Sequence, residues 1–212
     1  MNDTNGPLAL AVMQGAQGIH KAQAVVQAFP GIWHGRVIDV GARTREIEAA
    51  LAGTDTSYIG VDVDPSAEIV ADLGDHLPFD DDYASVVTAL DVLEHTEDIH
   101  HAFGELCRVA SDHIVLTLPN EYELENRIKM VRGLPISKYG LTPDPPGDRH
   151  RWFFALDDAR RFVYTNAERH GWSVQDERAF IGARRAKAIG PLVRRWPKLF
   201  SEMYLVHLAK AS

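Results

Sequence analysis

Hydrophobic positions along this chain switch repeatedly between a strand-like and a helix-like rhythm, and the switches mark out an alternating series of elements. Ile19, Ala22, Val26 and Phe29 share one helical face, and Pro30-Gly31 stops a helix over Ile19–Phe29. The apolar run Arg36–Val40 predicts the first strand, after which a helix capped by Thr44 buries Ile47 and Leu51 and ends at Gly53. Strands follow over Ser57–Val63, Glu68–Asp72 and Ala84–Leu90, the last two separated by the loop Leu73–Asp82. Thr96 is the expected cap of a helix carrying Ile99, Ala102, Phe103, Leu106 and Val109 at helical spacing, and His113–Leu118 is the fifth strand. A short helix over Glu121–Val131, a helix from Asp157 to His170, and strands Trp172–Phe180 and Met203–Ala209 complete the series. Strands alternating with helices predict an α/β fold with a mainly parallel, seven-stranded sheet and helices on both faces.

Between the fifth strand and the Asp157 helix lies a long connection, with a Pro/Gly-rich loop over Gly133–Gly147 and then Asp148-Arg149-His150-Arg151-Trp152-Phe153-Phe154. Long connections in compact domains are more often functional than accidental, and ligands of open α/β sheets sit beyond the carboxyl ends of the strands. The insertion, about 121–154, is therefore read as a substrate lid on a single domain spanning 1–212.

Composition narrows the class. A chain of 212 residues, 45% hydrophobic and 25% charged, suits a globular domain, and no apolar run approaches the roughly 20 residues that span a bilayer. The N-terminal residues lack the basic region of a secretory signal and Cys107 is the lone cysteine, so a cytoplasmic protein is expected. Net charge is −8, yet Arg178, Arg184, Arg185, Lys187, Arg194, Arg195 and Lys198 fall in one acid-free stretch, leaving 15 basic against 30 acidic residues elsewhere. Such an acidic balance argues against a nucleic-acid partner, and the basic stretch 178–198 is a candidate peripheral contact with an anionic surface against the plainer reading of a solvated helix and loop. Oligomeric state is open.

The candidate chemistry begins at Val37-Ile38-Asp39-Val40-Gly41, followed 21 residues after Gly41 by Asp62 of Tyr58-Ile59-Gly60-Val61-Asp62-Val63-Asp64. A strand running into a glycine turn, with an acid closing the next strand, is how open α/β sheets hold an adenosine-containing cofactor. Downstream come Glu68-Ile69-Val70-Ala71-Asp72-Leu73, then Leu77-Pro78-Phe79-Asp80, then Leu90-Asp91-Val92-Leu93-Glu94-His95, then His113–Asn120. In this order and spacing the segments resemble the class I S-adenosylmethionine-dependent methyltransferases, in particular the small-molecule, methyltransferase type 11-like branch. The resemblance covers about residues 34–120, and more weakly Arg149–Trp172 and the last strand.

The resemblance implies a Rossmann-like fold, S-adenosyl-L-methionine as cofactor, and a small-molecule or glycan-type acceptor. It further implies that Asp39, Gly41, Ala42 and Arg43 frame the turn against the cofactor's methionine part, and that Asp62 takes the ribose hydroxyls. Val63, Asp72 and Leu73 would surround the adenine, and Leu90 and Asp91 would lie near the methyl group. Arg43 and Arg45 stand where the family has glycine; Arg43 is divided between pairing with the cofactor carboxylate and solvation, and Arg45 is read as solvated. Transfer from a sulfonium needs alignment more than acid–base help, and if the acceptor arrives protonated His150 is the first candidate base and His95 the second. Asp80, Asp81 and Asp82 read as a solvated turn, His100 and His101 as a solvated face, and no residue is assigned as a metal ligand. The competing readings are a non-catalytic binding or regulatory domain on the same fold and, with its glycine turn incomplete, a nicotinamide-dependent oxidoreductase.

Overall fold

The computed structural model describes residues 8–13, 19–136, 144 and 149–211. The elements are β1 (Ala9–Met13), α1 (Ile19–Ala28), β2 (Gly35–Val40), α2 (Glu46–Ala50), β3 (Thr56–Asp62), β4 (Ile69–Val70), β5 (Ala84–Leu90), a 3-10 turn (Leu93–His95), α3 (Ile99–Val109), β6 (Ala110–Pro119), α4 (Leu124–Val131), α5 (Leu156–Arg169), β7 (Trp172–Gly182), α6 (Ala183–Arg195), α7 (Pro197–Phe200) and β8 (Met203–Lys210). One sheet holds all eight strands in the order β1-β7-β8-β6-β5-β2-β3-β4. Pairing is parallel except where β8 runs antiparallel between β6 and β7.

The inner stretches of the central strands, Val86–Leu90 and Ile114–Leu118, are mostly apolar because both faces of the sheet are covered there. Along β5, Val87 joins the cluster formed with Phe103, Leu106, Val163 and Tyr204, while its neighbour Val86 packs with Ala22, Ile47 and Leu51 on the opposite face. In β6 the same alternation sends Ile114 and Leu116 to the first cluster and Val115 to one shared with Val25 and Phe29. Thus α3 and α5 close one face and α1 and α2 the other. On α1 the buried valine is Val25, with Val26 only partly covered.

The chain departs from the expected elements at three places. The sheet has one strand more than anticipated: β1 pairs in parallel with β7 from Ala9↔Arg178 to Met13↔Gly182. Ala-Leu-Ala-Val-Met is a short run without alternation, so period alone leaves its state undetermined. Helix α2 starts behind Arg45, whose left-handed backbone (φ 51) makes the turn that Thr44 was expected to cap. Asp98 rather than Thr96 caps α3, accepting from the His100 and His101 N–H groups, while the Thr96 hydroxyl donates to Leu93 O at 2.9 Å. The basic stretch is largely helix α6.

The loop between β4 and β5 is pinned from inside. Leu77 and Phe79 are buried, and the Arg108 guanidinium donates to Leu77 O and Phe79 O at 3.1 and 2.7 Å while pairing with Glu105 and Asp81. The Leu-Pro-Phe-Asp motif therefore owes its form to packing, and Asp81 to a salt bridge at the surface. His100 and His101 are exposed, as expected of a solvated face. The central part of the proposed lid, 137–143 and 145–148, lies outside the described residues. No helix among the described residues is long and apolar enough to cross a membrane.

Candidate active site

Strand order reverses between β2 and β5: the chain leaves β2 toward β3 and β4, then returns at β5 and continues to β6. Beyond the carboxyl ends of strands flanking such a point the crossovers diverge and leave a crevice. Two cavities open there. One, of about 700 Å³, is lined by Arg43, Asp62, Val63, Asp72, Leu73 and Arg151 among others; the second, of about 780 Å³, includes Lys21, Asp39, Glu94, Asn120, Glu121 and His150 in its lining. Gly41, Asp91 and His95 belong to both, so the two form a single cleft with a waist at the end of β2.

Gly41 shapes the waist. Its φ of +81° suits glycine, and a Cβ built there would run into Val92 Cγ2. Its N–H and that of Ala42 both donate to Val61 O, at 2.8 and 3.1 Å, so the turn is stitched to β3 by main chain alone. At the end of β3, Asp62 is buried, and its two carboxylate oxygens accept the N–H groups of Asp64 (2.9 Å) and Arg43 (3.0 Å). A carboxylate has about four acceptor sites, so these two bonds orient the group and leave it capacity for a vicinal diol. Asp72 Oδ1 accepts the Gly74 N–H at 2.7 Å, and Val63 presents an exposed apolar surface between the two acids.

Asp39 lies beneath the turn. Thr88 Oγ1 and Tyr58 OH donate to its two oxygens at 2.5 and 3.0 Å, and burial pushes its carboxyl up to about 6 despite those bonds. It ties β2 to β3 and β5 and reaches the cleft from below.

Asp91, just past β5, has φ +57 and exchanges hydrogen bonds with Thr117: its N–H donates to Oγ1 at 2.9 Å, and that hydroxyl donates to its carboxylate at 2.6 Å. Its other oxygen pairs with Lys21 of α1. Lys21 went unread in the sequence, where it sits on a helix flank without a motif around it.

The arginines at the turn separate. Arg43 uses its backbone, not its guanidinium, on Asp62, and lines the smaller cavity. Arg45 is exposed and pairs with Glu48 at 2.6 Å and Glu68 at 3.2 Å over the Tyr58 ring, so it is tied down at the surface.

The two candidate histidines converge. Residues 149–152 run back along the 3-10 turn: Arg151 N–H donates to Glu94 O at 2.7 Å, Arg151 Nε to His95 O at 2.9 Å, and Trp152 Nε1 to Thr96 O at 2.8 Å. The rings of His95 and His150 meet edge-on at 4.7 Å, with fully buried Glu94 beside them. His95 Nδ1 lies 3.1 Å from Arg149 O, and His150 Nδ1 lies 3.4 Å from Glu121 Oε1. Glu121 was not singled out in the sequence; it follows the stop after β6 and carries no recognisable spacing to its histidine.

The methyltransferase domain family matches residues 16–172, three quarters of the chain and all of this cleft's central strands. The chain belongs to the methyltransferase family. Similar solved structures include an S-adenosylmethionine-dependent methyltransferase from Archaeoglobus fulgidus (15% identity, TM-score 0.62, 91% of this chain and 95% of that one). Magnesium protoporphyrin IX methyltransferase from Synechocystis PCC 6803 with bound SAH is likewise similar (15%, 0.56, 91% and 81%). So is the putative methyltransferase in complex with the Trm112 activator from Haloferax volcanii (18%, 0.58, 90% and 89%). No curated protein matches at the sequence level. The methyltransferase fold is thus the Rossmann-like class I form, with S-adenosylmethionine as its cofactor.

Of the seven cations in the methyltransferase's basic stretch, three are taken up within the fold: Arg178 with Asp176, Arg185 with Glu123 and Glu202, and Lys198 with Asp157. Arg184, Lys187, Arg194 and Arg195 stand exposed on α6.

Proposed function

We propose that this methyltransferase moves the S-adenosylmethionine methyl group onto a small-molecule or glycan-type acceptor by in-line displacement, within one domain whose 121–154 insertion overhangs the acceptor. The observation that carries the reading is the double cavity with its waist at Gly41, Asp91 and His95: one compartment for the adenosine, one for the acceptor, and a narrow passage where the sulfonium would lie. Asp62 would accept from the ribose hydroxyls. Val63 and Leu73 would face the adenine, and Asp72 would accept from its amine. Gly41 and Ala42 let the cofactor lie against the turn, with Leu90 at the floor.

The methionine part is a zwitterion, and Lys21 with Asp91 offers the matching pair of charges at the waist. In this reading Lys21 holds the carboxylate, and Arg43 serves Asp62 through its main-chain N–H. A neutral thioether is a good leaving group, so the protein's work is to align nucleophile, methyl carbon and sulfur and to exclude water. His150 and His95 line the acceptor compartment, within reach of a proton that a hydroxyl acceptor would shed. The four outward cations of α6 would supply a peripheral contact with an anionic surface, which retention on anionic vesicles at low salt tests.

Calorimetry with S-adenosylhomocysteine tests the core of the proposal. Wild type is expected to bind, and Asp62→Asn to bind about 10- to 100-fold more weakly, the scale of losing a charge-assisted pair of hydrogen bonds. Absence of binding by wild type would favour the non-catalytic domain, and binding of a nicotinamide dinucleotide instead would favour the oxidoreductase.

A further inference from the structure

The acceptor compartment holds a group of side chains whose chemistry exceeds what methyl transfer requires. Glu94, His95 and His150 each offer a donor atom, and the three atoms lie within 4.8 Å of one another. Donors each about 2.1 Å from one ion in a tetrahedron stand about 3.4 Å apart, so the three need draw together by no more than about 1.4 Å to share one. Two imidazoles and a carboxylate form the donor set that first-row divalent ions take, with positions left open for a further ligand.

The surroundings of the two rings point the same way. A metal-binding imidazole generally has its other nitrogen held by a carboxylate or a main-chain carbonyl, which fixes the tautomer and aims the lone pair. Acceptors of both kinds stand beside the two rings: Arg149 O lies 3.1 Å from His95 Nδ1, and Glu121 Oε1 lies 3.4 Å from His150 Nδ1, within ion-pair distance. An imidazole that donates from Nδ1 to such an acceptor keeps its Nε2 lone pair for an ion. Glu94 is fully buried beside the two rings. All three donors line the 780 Å³ cavity, and His95 stands at the waist as well.

We propose that Glu94, His95 and His150 bind one divalent transition-metal ion, with the Arg149 carbonyl and Glu121 positioning the two imidazoles, and that the ion holds the oxygen of a hydroxyl-bearing methyl acceptor. The ion would lower the pKa of the hydroxyl it holds, so that the proton is released to bulk water as the acceptor binds and before the methyl group moves. An oxygen lone pair then forms the bond to the methyl carbon as the carbon–sulfur bond breaks, and its electron pair returns to sulfur to leave a neutral thioether. In this arrangement the histidines are ligands and not bases. The identity of the acceptor atom rests on the methyl-transfer reading; the ion site does not.

The test is titration of chelator-treated protein with Co2+, followed by visible absorption, alongside calorimetry with S-adenosylhomocysteine. Wild type is expected to bind one equivalent and develop ligand-field bands, while Glu94→Gln and His150→Ala weaken Co2+ binding by at least about tenfold and keep their S-adenosylhomocysteine affinity. Electron paramagnetic resonance of the Cu2+ form is expected to show two coupled imidazole nitrogens in wild type and one in His150→Gln, a milder change that serves if His150→Ala does not fold. Equal Co2+ affinity in wild type and in the folded variants, or a Cu2+ spectrum unaltered by His150→Gln, would overturn the site. Loss of S-adenosylhomocysteine binding with the Co2+ site intact would overturn methyl transfer and leave the ion site standing.

Discussion

On the β2–β3–β4 side of the cleft, the atoms that would meet a ligand are positioned by main chain. Gly41 and Ala42 hang from Val61 O, and Asp62 is aimed by the Arg43 and Asp64 N–H groups. On the β5–β6 side the work falls to side chains brought from as far apart as Glu94 and His150, held by carbonyls and carboxylates of segments that meet only in the folded state. The first construction tolerates little change at Gly41, where φ is positive and a Cβ would meet Val92, and is indifferent to the side chain at Arg43, where only the N–H is used. The second can be altered one side chain at a time without moving the sheet.

Gly41→Ala tests the main-chain side most severely. A Cβ at φ +81 against Val92 combines left-handed strain with overpacking, a cost of about 2–4 kcal/mol, and S-adenosylhomocysteine affinity is expected to fall more than about tenfold with a lowered Tm. Retained affinity at full stability would mean that the turn is more pliant than its contacts imply. Glu121→Gln addresses the other side. It is expected to weaken Co2+ binding about 10- to 100-fold while leaving S-adenosylhomocysteine binding and Tm near wild type; a loss of cofactor binding in this variant would merge the two halves.

Asp39, beneath the waist, gives a pH-dependent probe. Its carboxyl sits at about 6 against an ordinary 3.8, so between those values the folded protein keeps a proton that the unfolded chain has released. Its contribution is therefore fully present below about pH 4 and is lost as pH rises to about 6, by roughly 2–3 kcal/mol. Urea unfolding of Asp39→Asn should lack that decline. His207, pushed down to about 4 by burial, acts with the opposite sign across an overlapping window and is common to both proteins, so the difference between them isolates Asp39. The smallest effect is expected for Arg43→Ala, which keeps the N–H that serves Asp62: a change of less than about threefold in S-adenosylhomocysteine affinity. A larger loss would restore the guanidinium to the cofactor site.

Legibility in the sequence follows the same divide. That Asp39, Gly41, Asp62 and Asp72 share one cleft was readable because a strand, its turn and the acid of the next strand lie close along the chain and carry a recognisable spacing. His95 and His150 were each singled out, but separately, as rival bases; nothing in their spacing signals that they meet edge-on beside Glu94. Lys21 and Glu121 were missed for the related reason that each acquires its meaning from a partner, Asp91 or His150, supplied by the fold. In the frame of the fold, β1 escaped because five apolar residues fit a strand or a helix equally. The caps of α2 and α3 shifted because Arg45 takes the left-handed turn and Asp98 outcompetes Thr96.

The insertion after β6 is tethered at both of its feet. Glu121 N–H donates to Phe154 O at 2.9 Å, and Arg151 and Trp152 are fastened to the 94–96 main chain. A segment whose two ends are clamped side by side behaves as an exchangeable cassette. A connection between ends so fixed can change in length at little cost, because loop-closure entropy rises only slowly with length. In the proposed reading, variation of the acceptor would then proceed by change within that insertion, while the β2–β3–β4 side of the cleft is left as it is.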